Sequence, residues 1–211
     1  MQQNLDLFSS SHHEVGPLFK QEELNGELLI IPNFLTTDCA EELFQRFKEN
    51  IKWRQSEVFV CGKKHLEPRL TAWYGDEGAV YSYAKKKLVP EKWFSELANL
   101  KKEVERMIPG TLFNSVLVNL YRDGKDKMGW HADNEKELGL NPVIASLSLG
   151  ATRFFDLKHK HDSAQKFRYE LKSGMLLIMS GKLQENWLHQ IPQQRKVHQP
   201  RINLTFRKVV Y

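Results

Sequence analysis

The sequence predicts an α+β fold, in which a β-sandwich or jelly roll is backed by helices that precede it. Before Gly110, two segments carry apolar residues at three- and four-residue steps, which is the spacing of a helix with one buried face. After Gly110 the apolar residues alternate with polar ones, in short runs separated by turns. Upstream helices followed by short alternating strands are typical of a β-sandwich or jelly roll with a helical layer.

The first predicted helix lies between residues 36 and 50. An apolar run at 28–31 precedes it, and Thr36 or Thr37 can cap its first turn. Asn50 is a plausible end, because asparagine is favoured at helix termini. Three apolar residues would form the buried face: Leu43, Phe44 and Phe47.

The remaining elements are predicted from turn-forming residues and from the spacing of the apolar residues. A β-rich stretch covers 53–83, and a second helix is expected to open at Pro90, where a missing N–H group costs nothing. Both helices are expected to pack against a sheet. Four strands are predicted downstream, at 116–121, 143–149, 175–179 and 201–207, and the third is apolar throughout, as in a strand buried on both faces.

Length and composition restrict the class of protein. The 211 residues fit one structural unit, which we divide into a flexible arm at 1–20, a helical part at 21–110 and a β core at 111–211, with order beginning near Gly26. No apolar run approaches the roughly 18 residues of a membrane-spanning helix, and residues 1–20 do not resemble an export signal. Cys39 and Cys61 suggest a reducing compartment. We therefore expect a cytoplasmic protein without a membrane partner.

The charge balance permits a phosphate-rich partner but does not by itself predict one. Lys and Arg total 31 against 26 Asp and Glu, a net charge of +5. Four basic clusters, at 63–64, 85–87, 158–160 and 195–196, could track a phosphate backbone. Such runs are more often just solvated surface.

One set of residues has the composition of an iron site. His131 and Asp133 lie two residues apart, on one face of an extended segment, and His189 follows a predicted buried strand. Two histidines and one carboxylate form the facial triad that binds Fe(II) and leaves coordination positions open for O2 and a chelating cosubstrate. By itself, His-x-Asp is more typical of a turn in which the aspartate accepts a local hydrogen bond.

The last predicted strand carries polar residues on one face. Arg201, Asn203, Thr205 and Arg207 alternate with apolar residues, and Asn119 and Tyr121 alternate in the same sense on another strand. Two arginines inside a small β-barrel require an anion, which a dicarboxylate such as 2-oxoglutarate would supply. The alternative is an edge strand with a solvated polar face.

Several short sequence runs, which include the residues named above, resemble the AlkB family in their order along the chain. The resemblance is carried by Asn-Leu-Tyr-Arg at 119–122, Trp-His-Ala-Asp at 130–133, the run at 145–154 and Pro-Arg-Ile-Asn-Leu-Thr-Phe-Arg at 200–207. Pro-Arg-Leu-Thr-Ala-Trp-Tyr-Gly-Asp at 68–76 matches as well. The sequence is most similar to the branch that repairs alkylated nucleic acid.

The resemblance implies a double-stranded β-helix (jelly-roll) core with supporting helices and an N-terminal nucleotide-recognition lid within 21–110. It implies an Fe(II)- and 2-oxoglutarate-dependent dioxygenase in which His131, Asp133 and His189 hold iron. The 2-oxoglutarate would be surrounded by six residues: Asn119, Tyr121, Arg201, Asn203, Thr205 and Arg207. With O2, such enzymes remove the methyl group of 1-methyladenine or 3-methylcytosine and release succinate, CO2 and formaldehyde.

The resemblance also nominates substrate contacts. Tyr81 and Tyr83 would flank the target base, Asn134 and Glu135 would contact it, and Arg69 and Trp73 would shape the lid. Two departures leave specificity open. Asn134 is an amide where relatives carry an acid, and Cys61 stands where duplex-specific relatives have a phenylalanine, with Phe59 two residues earlier.

We therefore expect a monomer acting on alkylated single- or double-stranded DNA, or on RNA. It would lie in a bacterial cytoplasm with the nucleoid, or in a eukaryotic nucleus. The alternatives are an AlkB-like oxygenase of a protein or of a modified RNA base, and a jelly-roll binding module that has lost catalysis. The complete His-Asp-His set argues against the second alternative.

Overall fold

A computed structural model describes residues 19–20, 24, 26–60, 62–79, 81–83 and 86–210. Its strands form two main antiparallel sheets. The major sheet has seven strands in the order β1 (Phe19–Lys20), β2 (Gly26–Ile31), β13 (Leu176–Gly181), β10 (Ile144–Gly150), β15 (Arg201–Arg207), β8 (Ser115–Tyr121) and β5 (Leu70–Gly75). The minor sheet has four, in the order β12 (Lys166–Leu171), β11 (Arg153–His159), β14 (Trp187–Ile191) and β9 (Met128–His131).

Two separate hairpins complete the strands among the described residues. One pairs β3 (Glu57–Val60) with β4 (Lys63–Leu66), and the other pairs β6 (Tyr81–Tyr83) with β7 (Lys86–Leu88). The predicted jelly-roll architecture is confirmed, since two antiparallel sheets face each other with helices on the outer side of one of them.

The first helix, α1 (Thr37–Asn50), has the predicted bounds. The side-chain oxygen of Thr36 accepts a hydrogen bond from the backbone N–H of Cys39 at 3.3 Å, so Thr36 is the cap. The three predicted apolar residues and Ala40 are buried. They pack on the major sheet, as expected.

The second helix, α2 (Ser95–Arg106), begins five residues later than predicted. The prediction at Pro90 is wrong because the next residue joins a sheet edge. The N–H group of Glu91 donates to the carbonyl of Trp73 at 2.8 Å, and the Glu91 carbonyl accepts from Gly75 at 3.0 Å. A short helix, α3 (Leu183–Asn186), lies downstream, where no helix was expected.

The amino-terminal prediction is largely outside the described residues. Residues 1–18 are not described, but Phe19 and Lys20 form β1 and pair with Ile30 and Leu29. Strand structure therefore begins before Gly26, because β2 offers a free edge for this pairing. No helix among the described residues is long and apolar enough to cross a membrane.

Two apolar layers position the site. The outer layer lies between the major sheet and helices α1 and α2, and includes Leu43, Leu97, Leu147 and Leu204. The inner layer lies between the two sheets and includes Leu177 and Trp187. Strand β15 is central and all seven of its residues are buried, so its polar face points between the sheets. The alternative of a solvated edge strand is therefore wrong.

Candidate active site

Three side chains that can ligate a metal meet between the sheets. His131 is the last residue of β9 and is the direct cross-strand partner of His189 in β14. Asp133 follows two residues later. One ligand atom from each residue lies within 4.8 Å of the other two, and Nε2 of His131 is 4.0 Å from Oδ1 of Asp133. The structure thus brings the three predicted metal ligands together.

The hydrogen bond of one imidazole and the burial of the other both suit metal binding. Nδ1 of His131 lies 2.8 Å from the carbonyl oxygen of Gly129. Because a carbonyl only accepts, Nδ1 is the donor of this bond, which leaves Nε2 as the nitrogen that can ligate a metal. Burial lowers the pKa of His189 to about 3, so this ring is neutral near pH 7. Phe155 stacks against it at 5.4 Å between ring centroids.

Asp133 is fixed on two sides. Its backbone N–H donates to Oε1 of Gln184 at 2.8 Å, and its Oδ1 accepts from Nη2 of Arg207 at 2.6 Å. Burial alone would raise the pKa of Asp133, but the charge and the hydrogen bond of Arg207 lower it below its ordinary value. The carboxylate therefore stays ionised and correctly oriented as a ligand.

A cavity between the sheets adjoins the three ligands, and we call it the basic cavity. Its charged lining consists of Arg69, Arg201, Arg207 and Asp133, which is three guanidinium groups against one carboxylate. Strand pairing explains the arrangement, because Arg201 lies opposite Tyr121 and Asn203 opposite Asn119. All six residues predicted to surround 2-oxoglutarate line this cavity: Asn119, Tyr121, Arg201, Asn203, Thr205 and Arg207.

Arg201 provides the test of fit for a bound anion. Its side chain is buried, and one nitrogen, Nη2, donates to the hydroxyl of Ser148 at 2.8 Å. Nε and Nη1 have no hydrogen-bond partner among the described residues. Burial lowers the pKa of Arg201 to about 10, which leaves it charged at pH 7. A buried, charged and partly unpartnered guanidinium group fits a carboxylate.

A second cavity, which we call the acidic cavity, shares six lining residues with the first, including His131 and Asp133. Its charged lining consists of three carboxylates, from Glu67, Asp133 and Glu135, against two guanidinium groups, from Arg69 and Arg207. Oε2 of Glu135 is buried and has no hydrogen-bond partner among the described residues. This cavity therefore suits a cationic guest beside the metal ligands.

The predicted substrate residues fall into three groups. Arg69, Trp73 and Glu135 line the acidic cavity. Asn134 is exposed and is not among the described residues that line either cavity. Tyr81 and Tyr83 lie in β6, but their side chains are outside the described part of the structure. The side chain of Phe59 and all of Cys61 are likewise outside it.

Several polar residues of the site escaped the sequence analysis. Ser148 accepts from Arg201, and Ser146 accepts from Nδ2 of Asn203 at 2.7 Å. Their alternation with the buried leucines of β10 could have indicated this, because it places both serines between the sheets. Gln184 and Glu67 carried no comparable signal, since neither belongs to an alternating strand.

Arg153 is a further residue that sequence reasoning missed. It is fully buried, and its guanidinium group lies 5.4 Å from the ring centre of Tyr121, while that of Arg201 lies 5.3 Å from the same ring. Arg153 donates to the carbonyls of Asp123, Asp126 and Pro192 at 2.7–3.1 Å. It thereby joins the loops after β8 and β14 behind the basic cavity.

Comparisons with known proteins agree with this geometry. Residues 27–207 match the model of the 2OG-Fe(II) oxygenase superfamily. The chain is 38% identical to "Alpha-ketoglutarate-dependent dioxygenase alkB homolog 3" of Bos taurus, over 87% of this chain and 66% of that protein. It is 37% identical to "DNA oxidative demethylase ALKBH2" of Homo sapiens, over 94% of this chain and 79% of that protein.

A solved structure shows the same fold. The structure of OsALKBH1 superimposes with a TM-score of 0.68 and 20% identity, over 91% of this chain and the whole of that one. The chain spans slightly less than two thirds, 66%, of the length of the Bos taurus relative.

Proposed function

The chain belongs to the 2OG-Fe(II) oxygenase superfamily, within its AlkB family, and on that premise we propose that it oxidatively removes alkyl groups from the ring nitrogens of DNA bases. The cofactors of this family are Fe(II), 2-oxoglutarate and O2. One observation carries the proposal. A basic cavity suited to a dianion and an acidic cavity suited to a cation meet at one His-Asp-His set.

The relatives supply the class of substrate. The Homo sapiens relative is named a DNA oxidative demethylase. An N1-methylated adenine and an N3-methylated cytosine are both cations, and both have lost Watson–Crick pairing, so they leave the helix easily. The acidic cavity has the charge that such a base requires. This agreement of charge supports the proposal independently of the relative's name.

His131, Asp133 and His189 would hold the iron. The metal, when bound, supplies the activation of O2 that couples loss of CO2 from 2-oxoglutarate to hydroxylation of the alkyl carbon. The protein holds the groups around it. Gly129 fixes the tautomer of His131, and Arg207 and Gln184 fix Asp133.

We assign the six polar residues of the basic cavity to 2-oxoglutarate. Arg201 would grip one carboxylate through its unpartnered nitrogens, and the ring of Tyr121 orients that guanidinium group. Arg207, beside Asp133, would lie at the metal end of the cosubstrate. Asn119, Asn203 and Thr205 would provide hydrogen bonds between these ends.

The acidic cavity would hold the target base. Glu135 would bind the cationic ring or its amino group, Trp73 would supply an apolar wall, and Arg69 would connect this cavity to Asn119. Tyr81 and Tyr83 remain proposed aromatic contacts, and Asn134 a proposed contact at the surface. Within 21–110, the helices would support the core, and the part that includes the β3–β4 hairpin would act as the nucleotide-recognition lid.

Outside the two cavities, the four basic clusters of the sequence would contact phosphates of the nucleic acid. We propose that the protein works as a monomer on DNA, and therefore lies in a nucleoid or a nucleus. Single- and double-stranded DNA and RNA are all candidate substrates, and they are separated by the experiment that follows.

The test is a formaldehyde-release assay with Fe(II), 2-oxoglutarate and oligonucleotides that carry a single 1-methyladenine or 3-methylcytosine. Single-stranded DNA, duplex DNA and RNA of the same sequence are compared, and mass spectrometry of the product confirms loss of one methyl group. We expect one formaldehyde per repaired base on DNA. Absence of repair on all substrates, with intact 2-oxoglutarate binding, would refute the proposal.

A further inference from the structure

Glu67 is a buried carboxylate at the edge of the acidic cavity. It directly follows β4, whose four residues are all exposed, yet its own side chain is only 3% exposed. Both backbone polar groups of Glu67 are hydrogen-bonded. Its N–H donates to the carbonyl of Ser56 at 2.8 Å, and its carbonyl accepts from Nε2 of Gln55 at 2.9 Å. The chain is thus fixed in a position that directs this carboxylate inward.

The carboxylate of Glu67 is only weakly compensated. Its partner is Nη2 of Arg69, at 3.4 Å. Arg69 makes its shorter bond elsewhere, from Nε to Oδ1 of Asn119 at 2.8 Å. A buried carboxylate with one long ion pair is costly, and it gains strongly from a further donor or positive charge.

The charges around the acidic cavity lead to the same conclusion. Arg207 is paired with Asp133 at 2.6 Å. Arg69 is then the remaining cation of the lining for two carboxylates, those of Glu67 and Glu135. The described lining therefore carries one uncompensated negative charge. A cationic guest cancels this charge, whereas a neutral guest of the same shape leaves it buried.

We infer that Glu67 is a specificity-determining residue, which makes the acidic cavity select cationic alkylated bases over neutral ones. The inference rests on the proposed function. 3-Methylcytosine is a cation and carries an exocyclic amino group that can donate to a carboxylate. 3-Methylthymine is neutral and carries a carbonyl oxygen in that position, which a carboxylate repels. The two bases have the same ring and the same N3 methyl group, and thymine adds a methyl group at C5.

The experiment compares these two bases in otherwise identical single-stranded oligonucleotides, using the full chain. The ratio of kcat/KM for 3-methylcytosine to that for 3-methylthymine is measured for the wild type, Glu67→Gln and Glu67→Asp. Glu170→Gln is the matched control, since it removes an exposed carboxylate that lines neither cavity. Binding of both oligonucleotides is measured in parallel by fluorescence anisotropy without O2.

We expect Glu67→Gln to lower the ratio about tenfold, mainly by slowing the reaction of 3-methylcytosine. Glu67→Asp keeps the charge and is expected to stay nearer the wild-type ratio, and Glu170→Gln is expected to match the wild type. The KM for 2-oxoglutarate and the melting temperature report whether the basic cavity and the fold are intact.

An unchanged ratio in Glu67→Gln, in both turnover and binding, would overturn the inference while leaving the proposed function standing. If the wild type demethylates neither oligonucleotide, the proposed function fails instead. In that case the binding ratio still tests Glu67, because the charge selectivity of the cavity does not require turnover.

Discussion

The basic and acidic cavities share His131 and Asp133 but differ in charge and in construction. The basic cavity has three guanidinium groups and one carboxylate, and strands β8 and β15 supply most of its polar lining. The acidic cavity has three carboxylates and two guanidinium groups, and Glu67 and Glu135 lie outside the strands. The protein thus places cavity linings of opposite net charge on the two sides of one His-Asp-His set, and we propose that each holds a different reactant.

The sharing of Asp133 and Arg207 explains how the two fields remain separate. This ion pair, at 2.6 Å, lines both cavities and is nearly neutral overall. The difference between the cavities therefore depends on the residues that they do not share. Variants of shared and unshared residues test this division.

The largest effect is expected from Asp133→Asn, which changes a residue common to both cavities. An amide is a poor ligand for Fe(II), and it leaves the buried Arg207 without its counter-charge, so activity should fall by about a thousandfold or more. Binding of Mn(II) by calorimetry and 2-oxoglutarate turnover are the measurements. Glu170→Gln, on the exposed side of β12, serves as the control. Near-normal turnover in Asp133→Asn would contradict the metal assignment.

A smaller and selective effect is expected from Arg201→Gln, which alters the basic cavity only. Loss of a buried charged contact of roughly 2 kcal/mol corresponds to about a thirtyfold increase in the KM for 2-oxoglutarate. The KM for the oligonucleotide should not change. Steady-state kinetics with each reactant varied in turn measure both. Arg106→Gln, on the exposed surface of α2, is the control. A change in oligonucleotide KM alone would break the division between the cavities.

The reverse pattern is expected from Glu135→Gln, which alters the acidic cavity only. It removes a buried carboxylate oxygen that has no partner among the described residues, so the kcat/KM for a cationic base should fall about tenfold. The KM for 2-oxoglutarate should stay within about twofold of the wild type, which is a small free-energy difference. Glu137→Gln, two residues away, is the matched control. Equal losses for both reactants would show that the cavities act as one site.

The smallest effect is expected from Ser148→Ala. It removes the hydroxyl that accepts from Nη2 of Arg201, while the guanidinium charge remains. A neutral partner contributes about 1 kcal/mol, so the KM for 2-oxoglutarate should rise about fivefold. Ser163→Ala, at an exposed position, should have no effect. An unchanged KM in Ser148→Ala would contradict a role of this hydrogen bond in binding 2-oxoglutarate.

The two cavities also differ in how far the sequence predicts them. The basic cavity follows from the alternation of β8 and β15, because a period of two assigns each side chain to a face before the partner strand is known. All six predicted residues line it. The resemblance to a known family then led to 2-oxoglutarate as the proposed occupant, which alternation alone could not specify.

The acidic cavity was predicted only in part. Glu135 follows the metal motif directly, so the resemblance located it, but Glu67 lies at the end of a hairpin whose preceding residues are all exposed. Its burial results from the contacts of its backbone with Ser56 and Gln55 rather than from any local period. The late start of α2 has a similar origin, because a sheet edge competes for the backbone of Glu91.

The direct pairing of His131 with His189 makes the metal site sensitive to the register of two strands. Adjacent residues in a strand point to opposite faces, so a slip of one residue between β9 and β14 would turn one imidazole away from the other. The pairing of β14 with β9 has a register shift between His189 and Ile191. Such an irregularity marks one particular alignment of the two strands. Assembly of the three metal ligands therefore depends on the correct register of β9 and β14.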